Sequence, residues 1–475
     1  MKHDLMIPTA PRFRRLPLPL LLAAALTACQ TGPRADAPPL PPHWQASTAA
    51  ATPLAVATDQ IWWRGFGDPV LERMIESALL RNTELGAAAW RIRNAQLRAG
   101  AATQALYPTP SASANAGASK GAAQPGAPAP TWQRNYGASL GVSWELDLWG
   151  RLSDQRKVAL WEARASMDDR RALALALSGN VARQYWQIAL LQARRARAEE
   201  SLAATERIFQ LTRVQYRAGA ISGLELAQAE QSLQNQQSQK LQLQQQIQEA
   251  RNTFSLLFDL PPPQLPDGLA IDLSQALQAT APPIPAGIPA DVLTHRPDLR
   301  AAQTRLEASL LNVRIARKNF LPGISLSGTL GTGGAALKDI LANPTRSLGV
   351  GLSLPFLNVG ELIRQPRIAR NEYEIAVLGY RQSVYRALSE VESALNALDT
   401  QRQQLKLQDE AVTNARRIAR MNEARYRAGA APLRFWLDAQ ETLRQAEFAA
   451  VDARFNTLQT AANLYLALGG GTGVR

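Results

Sequence analysis

The sequence has 475 residues, with 52 Lys and Arg against 39 Asp and Glu, a formal net charge of +13, three His and one Cys. A single cysteine excludes a disulfide framework and any cysteine-based zinc or iron–sulfur site, and no two of His3, His43 and His295 lie at ligand spacing. Charged residues make up 19% and the hydrophobic class 46%, which excludes a disordered charged tail; the basic excess leaves nucleic acid and anionic membrane surfaces as partner classes to weigh.

The first element is a leader. Lys2, Arg12, Arg14 and Arg15 precede an apolar stretch from Leu16 to Leu26, and Leu26-Thr27-Ala28-Cys29 ends it with small residues. This is the layout of a secretory signal peptide over 1–28, and it is shorter than the roughly 20 apolar residues a spanning helix needs. The run resembles a bacterial lipobox, whose cysteine becomes the lipidated first residue after cleavage, so Cys29 is the expected attachment point. The alternative is a signal peptide followed by an unrelated free cysteine. Loss of the leader lowers the net charge to +10, with 48 basic against 38 acidic residues. Gln30 follows the cysteine, in place of the Asp that favours inner-membrane retention in many such lipoproteins. Residues 29–60, rich in Pro and Ala, read as a lipid-anchored tether.

Residues 61–260 read as helix, β-hairpin (about 109–149), very long helix, tight break and return helix. In the hairpin, Tyr136, Ala138, Leu140, Val142, Trp144, Leu146 and Leu148 alternate with Gly137, Ser139, Gly141, Ser143, Glu145 and Asp147. Its partner strand alternates more weakly through Ala112, Ala114, Ala116 and Ala118. From Gly150 to Tyr216 there is no proline, so one helix on the order of 100 Å long is expected. Tyr216-Arg217-Ala218-Gly219-Ala220 breaks it, and a Gln-studded return helix spans about Gly223 to Phe258 with a narrow apolar stripe. A Pro-rich connector over 261–290 follows.

Residues 291–468 then repeat the plan, and 469–475 form a tail. Tyr426-Arg427-Ala428-Gly429-Ala430 stands 210 positions after its first copy, while Leu85 and Leu299, or Arg91 and Arg305, stand 214 apart. Ile324, Leu326 and Leu330, then Leu348, Val350, Leu352, Leu354 and Phe356, supply the second hairpin (about 323–358). Gly328, Gly331, Gly333 and Gly334 lack the Lys-Ser/Thr of a phosphate loop and read as a strand-end loop. Val384, Leu388, Val391, Leu395, Leu398 and Leu405 follow a heptad in the second long helix, interrupted by Arg402. A return helix from Leu433 to Leu466 closes the repeat.

Hairpins of this length suit membrane strands of about 9–11 residues as well as a soluble sheet. Four strands cannot close a barrel, and open edges are not tolerated in lipid. Membrane embedding therefore requires several copies to share one barrel, continued by the long helices as a tube. With no catalytic cluster, metal site or cofactor motif, the pattern points to a conduit and away from an enzyme.

On these features the chain resembles the outer-membrane efflux factor family (TolC/OprM-like), in its lipoprotein branch. The supporting stretches are Trp62-Trp63-Arg64-Gly65-Phe66-Gly67-Asp68-Pro69, His295-Arg296-Pro297-Asp298-Leu299, both Tyr-Arg-Ala-Gly breaks and Leu437-Asp438-Ala439-Gln440. The resemblance implies a mainly α fold with membrane β: a homotrimer with a 12-stranded outer-membrane barrel continued by a periplasmic α-helical barrel. It implies an exit duct for drugs or other small solutes, coupled through a periplasmic adaptor to an inner-membrane RND-type transporter, with outer-membrane lipid and no nucleic acid as partners. It places a periplasmic gate at Asp438, one position of the family's acidic ring; the usual second acid, three residues earlier, is here Phe435, preceded by Arg434, which favours an apolar constriction. The other reading of Asp438 is a carboxylate at the start of a helix after Pro432. It also makes Tyr216, Arg217, Gly219, Tyr426, Arg427 and Gly429 candidates for tip turns, adaptor docking or tip locking, against a purely structural turn. Two other functions share parts of this pattern: the outer-membrane duct of a type I protein secretion system, and a coiled-coil envelope scaffold without a pore.

Overall fold

The computed structural model describes residues 61–122, 130–266, 276–279, 290–336 and 343–470; Cys29, the leader and the tether lie outside them. Seven α-helices and four strands follow in chain order: α1 (Pro69–Arg81), α2 (Thr83–Gln104), β1 (Thr109–Ser119), β2 (Gln133–Leu146), α3 (Arg151–Arg217), α4 (Gly223–Leu256), α5 (Pro297–Lys318), β3 (Gly323–Gly334), β4 (Pro344–Ser353), α6 (Val359–Arg427) and α7 (Leu433–Ala467). Among the described residues no helix is long and apolar enough to cross a membrane.

Local chemistry sets the boundaries. Asp68 caps α1 by accepting from the Val70 and Leu71 amides at 2.9 and 3.1 Å, and Pro69 occupies the first helical position. Gly150 precedes α3 at φ +68°, and the Asp147 carboxylate does the capping instead, accepting from the Leu152 and Ser153 amides at 2.9 and 2.8 Å. Ser222 and Glu225 form a capping box at α4. Pro366 lies inside α6, which continues through it for 69 residues, about 100 Å of helix.

The helices next to the strands are ordered α2, α3, α5, α6, each packed on the next; towards the tips, α3 pairs with α4 and α6 with α7, and α3 also packs on α7. Each short helix on the strand side stacks end to end on a return helix. Asn82, the N-cap of α2, donates from Nδ2 to the Leu257 carbonyl at the end of α4 (3.2 Å). Arg296, the N-cap of α5, donates from Nη1 to the Ala467 carbonyl at the end of α7 (3.0 Å). These two positions are 214 apart, so the duplication places a donor on the otherwise unsatisfied carbonyls of a helix end twice.

The largest core lies at these junctions. Trp62, Trp63 and Phe66, in a 3₁₀ turn, are buried against Tyr185, Trp186, Phe254, Phe258 and Leu464. Trp62 Nε1 donates to Ser178 Oγ (3.0 Å), and Tyr185 Oη donates to the Asp68 carboxylate (2.9 Å), tying α1 to α3. The heptad positions Val384, Val391 and Leu398 are buried in the same core, while Arg402 is exposed. Charge is paired across α3 and α5: Asp168, 2% exposed, meets Arg171 and Arg300, and Lys318 Nζ meets Asp154 at 2.6 Å.

The strands form one antiparallel sheet, ordered β1-β2-β3-β4. Its register aligns Ala112, Leu140, Leu330 and Arg346 in one row and Pro110, Val142, Gly328 and Leu348 in the next. Gly328, Gly331, Gly333 and Gly334 therefore sit inside β3, which corrects their reading as a strand-end loop. A side chain at Gly333 would stand 3.1 Å from the Tyr136 carbonyl oxygen on β2, closer than ordinary contact, which explains a small residue there.

Candidate gate and membrane-facing sheet

The two hairpin tips end alike. After α3, the Gly219 amide donates to the Tyr216 carbonyl and the Ala220 amide to that of Gln215, both at 2.9 Å; after α6, Gly429 donates to Tyr426 and Ala430 to Arg425, again at 2.9 Å. This paired pattern is a Schellman cap, and the residue inside it must take positive φ: Gly219 is at +73° and Gly429 at +72°.

The equivalent tyrosines do not share a fate. Tyr216 is exposed, whereas Tyr426 is buried with Ile208, Ala229, Leu433 and Trp436 in a small core that joins the two hairpins. Tyr426 Oη donates to Gln215 Oε1 at 2.6 Å, and its ring lies 5.4 Å from that of Trp436. Burial, then the nearby Glu225 charge, pushes the Tyr426 phenol above its ordinary pKa. Arg217 is exposed, and Arg427 pairs with Glu423 on its own helix at 2.7 Å. Of the tip candidates, only Tyr426 is drawn into a contact between hairpins. Gln215 and Trp436 were missed in the sequence; the spacing of Trp436 from Leu433, three residues along one helix face, was the available signal.

Arg434, Phe435 and Asp438 are exposed on α7, with Arg434 Nε 3.5 Å from the Asp438 carboxylate. Asp438 is the sixth residue of α7 and makes no capping bond, so the structure does not use it as a helix-start carboxylate. Beside it, Gln228, Gln231, Gln239 and Glu441 line a polar groove of about 550 Å³ between α4 and α7. Gln236 Nε2 donates to Glu441 at 3.4 Å, and Arg444 grips Glu441 bidentately while its guanidinium lies over the Phe448 ring at 4.9 Å. Burial would raise the Glu441 pKa, but the hydrogen bonds from Arg444 and Gln445 and the Arg444 charge hold it below the ordinary carboxylate range.

The sheet has two unlike faces. Register puts Leu140, Val142, Trp144, Leu326, Leu330, Leu348 and Val350 on one, and Ser111, Ser113, Ser139, Ser327, Ser347, Gly349 and Gly351 on the other. Among the described residues the apolar face is uncovered, with Leu348 95% and Val350 75% exposed, and β1 and β4 are edges without a partner strand. An exposed apolar face with open edges is a surface that water does not stabilise.

The Outer membrane efflux protein family matches residues 74–258 and 288–470, most of both repeats. The chain belongs to that family. It is 35% identical over 471 residues to the pyoverdine export outer membrane protein OpmQ of Pseudomonas putida, covering 98% of each. It is 31% identical over 472 residues to the toluene efflux pump outer membrane protein TtgC of Pseudomonas putida, covering 95% of each. The solved structure of the outer-membrane channel OprN superposes with a TM-score of 0.78 at 28% identity, over 92% of this chain and 99% of that one. As an outer membrane efflux protein, the chain has a helical fold with one β-sheet, in two repeats, and its place is the outer membrane.

Proposed function

We propose that the chain is one subunit of a homotrimeric outer-membrane channel, the passive exit duct of a tripartite efflux pump for drugs or other small solutes. The observation that carries this is the sheet, apolar on one uncovered face, small and polar on the other, and unpaired at both edges. Pairing β4 of one copy with β1 of the next removes the edges, turns the apolar face to lipid and leaves the serine and glycine face around water. Three copies give twelve strands.

The helical edges support the same closure. On α2, Trp90 and Leu97 are exposed seven residues apart, and on α6, at the other end of the helix row, so are the pairs Ile368 and Ile375, and Leu378 and Tyr385. Packing α6 of one copy on α2 of the next buries both stripes. The tips would carry the gate, with Tyr426 and its contacts holding the hairpins together and Phe435, Arg434 and Asp438 brought near the axis. The exposed Tyr216, Arg217 and Arg427 would face a periplasmic adaptor, which joins the channel to an inner-membrane RND-type transporter. Cys29 would carry the lipid anchor.

Deleting the gene and profiling susceptibility to dyes, detergents and antibiotics tests the assignment. Sensitisation restored by the intact chain supports efflux; an unchanged profile with loss of a secreted polypeptide would favour the protein-secretion duct.

A further inference from the structure

The four strands contain three charged residues: Arg134, Glu145 and Arg346. Their placement is not even. Arg134 is the second residue of β2, near the strand end remote from the helices, whereas Arg346, the third of β4, is level with Leu330 and Leu140, six residues along β2 from Arg134. Glu145 stands at the helix end of β2 and is paired with Arg151 Nη2 at 2.6 Å. Register also separates the faces. Arg134 is opposite Ala118 and Arg346 opposite Leu330, which is itself opposite Leu140, so both arginines lie on the apolar face while Glu145 lies on the polar one. Both are exposed, neither forms an ion pair among the described residues, and Lys120, just past β1, adds a third exposed cation beside Arg134.

An arginine on a lipid-facing strand is unfavourable unless it reaches the interface and finds an anion. Closing the barrel supplies none, because β1, the strand that would come to lie beside β4, has no charged residue. Resting on the outer-membrane reading, we propose that Arg134 with Lys120, and Arg346 separately about 20 Å further along the sheet, bind the phosphate groups of anionic lipids in the outer leaflet. The planar guanidinium takes phosphate oxygens in two parallel hydrogen bonds. Around Arg346, Leu140, Leu330 and Leu348 offer a surface for the acyl chains of the lipid held there.

The test uses the full-length oligomer equilibrated in mixed micelles with lipid A carrying both phosphates or with lipid A stripped of them, and counts retained lipid by native mass spectrometry. Wild-type protein is expected to prefer the phosphorylated lipid about tenfold, and Arg134→Gln/Arg346→Gln to lose that preference, with Arg134→Lys/Arg346→Lys restoring part of it. Equal retention of the two lipids by wild type would overturn the proposal, as would an unchanged preference in the glutamine variant. If the glutamine variant fails to assemble, the wild-type comparison still decides. Ion conductance of the wild type in phosphate-free lipid is scored separately: conductance without lipid preference rejects these sites alone, whereas no conductance rejects the channel reading.

Discussion

Replacing Tyr426 by Phe removes one oxygen atom at the place where the second hairpin meets the first. The lost bond is the 2.6 Å donation from Tyr426 Oη to Gln215 Oε1, while the ring contact with Trp436 at 5.4 Å is kept. A neutral hydrogen bond of this kind contributes about 1 kcal/mol net. In an assembly of three copies whose tips open together, the loss totals about 3 kcal/mol, a shift of about a hundredfold towards the open tip. Tyr426→Ala removes the ring as well, and truncation of a buried aromatic costs about 3 kcal/mol or more per copy. Single-channel recording in planar bilayers measures the effect as open probability. The order expected is wild type below Tyr426→Phe below Tyr426→Ala. Equal open probability in all three would refute the claim that this contact holds the tip.

Three further outcomes follow from the same geometry. Asp438→Ala is expected to raise conductance or abolish block by divalent cations; no change in either rejects Asp438 as a ring residue. Asp168→Asn leaves Arg171 and Arg300 facing an uncharged group at a site 2% exposed. It should destabilise by about 2 kcal/mol, less than the 3–5 kcal/mol of a fully buried pair because both arginines are partly hydrated, and a thermal melt matching wild type would contradict this. The folded Glu441 pKa is lowered, so its contribution is complete above the ordinary carboxylate range and is lost as pH falls through the lowered value. Acid titration of Trp436 fluorescence should show tip loosening only below that range, and Glu441→Gln should flatten the step; an unaltered step would assign it to another group.

Much of this fold is legible in the sequence because its signals are local and occur twice. Alternation from Tyr136 marks β2 as far as Leu146, where the strand ends short of Leu148, just as β4 ends at Ser353 before Leu354 and Phe356; the register shows that Leu140, Val142 and Trp144 share a face. The Tyr-Arg-Ala-Gly breaks mark helix ends because a Schellman cap needs a residue at positive φ. What was not legible is what breaks the symmetry. Tyr216 and Tyr426 occupy the same motif, yet one is exposed and the other buried, since only the second lies where Trp436 and Ile208 converge. Glycines inside β3 resemble a loop in sequence because their reason is cross-strand: a side chain at Gly333 would crowd the Tyr136 carbonyl on β2. The stacking of α5 on α7 through Arg296 joins residues 171 positions apart, and no local pattern announces it.

The central claim is that copies of this chain close their sheets into a water-filled barrel. Recording ionic current from the purified, folded oligomer in a planar bilayer tests it most directly. Discrete, long-lived conductance steps are predicted; a folded oligomer that inserts and passes no current would contradict the account.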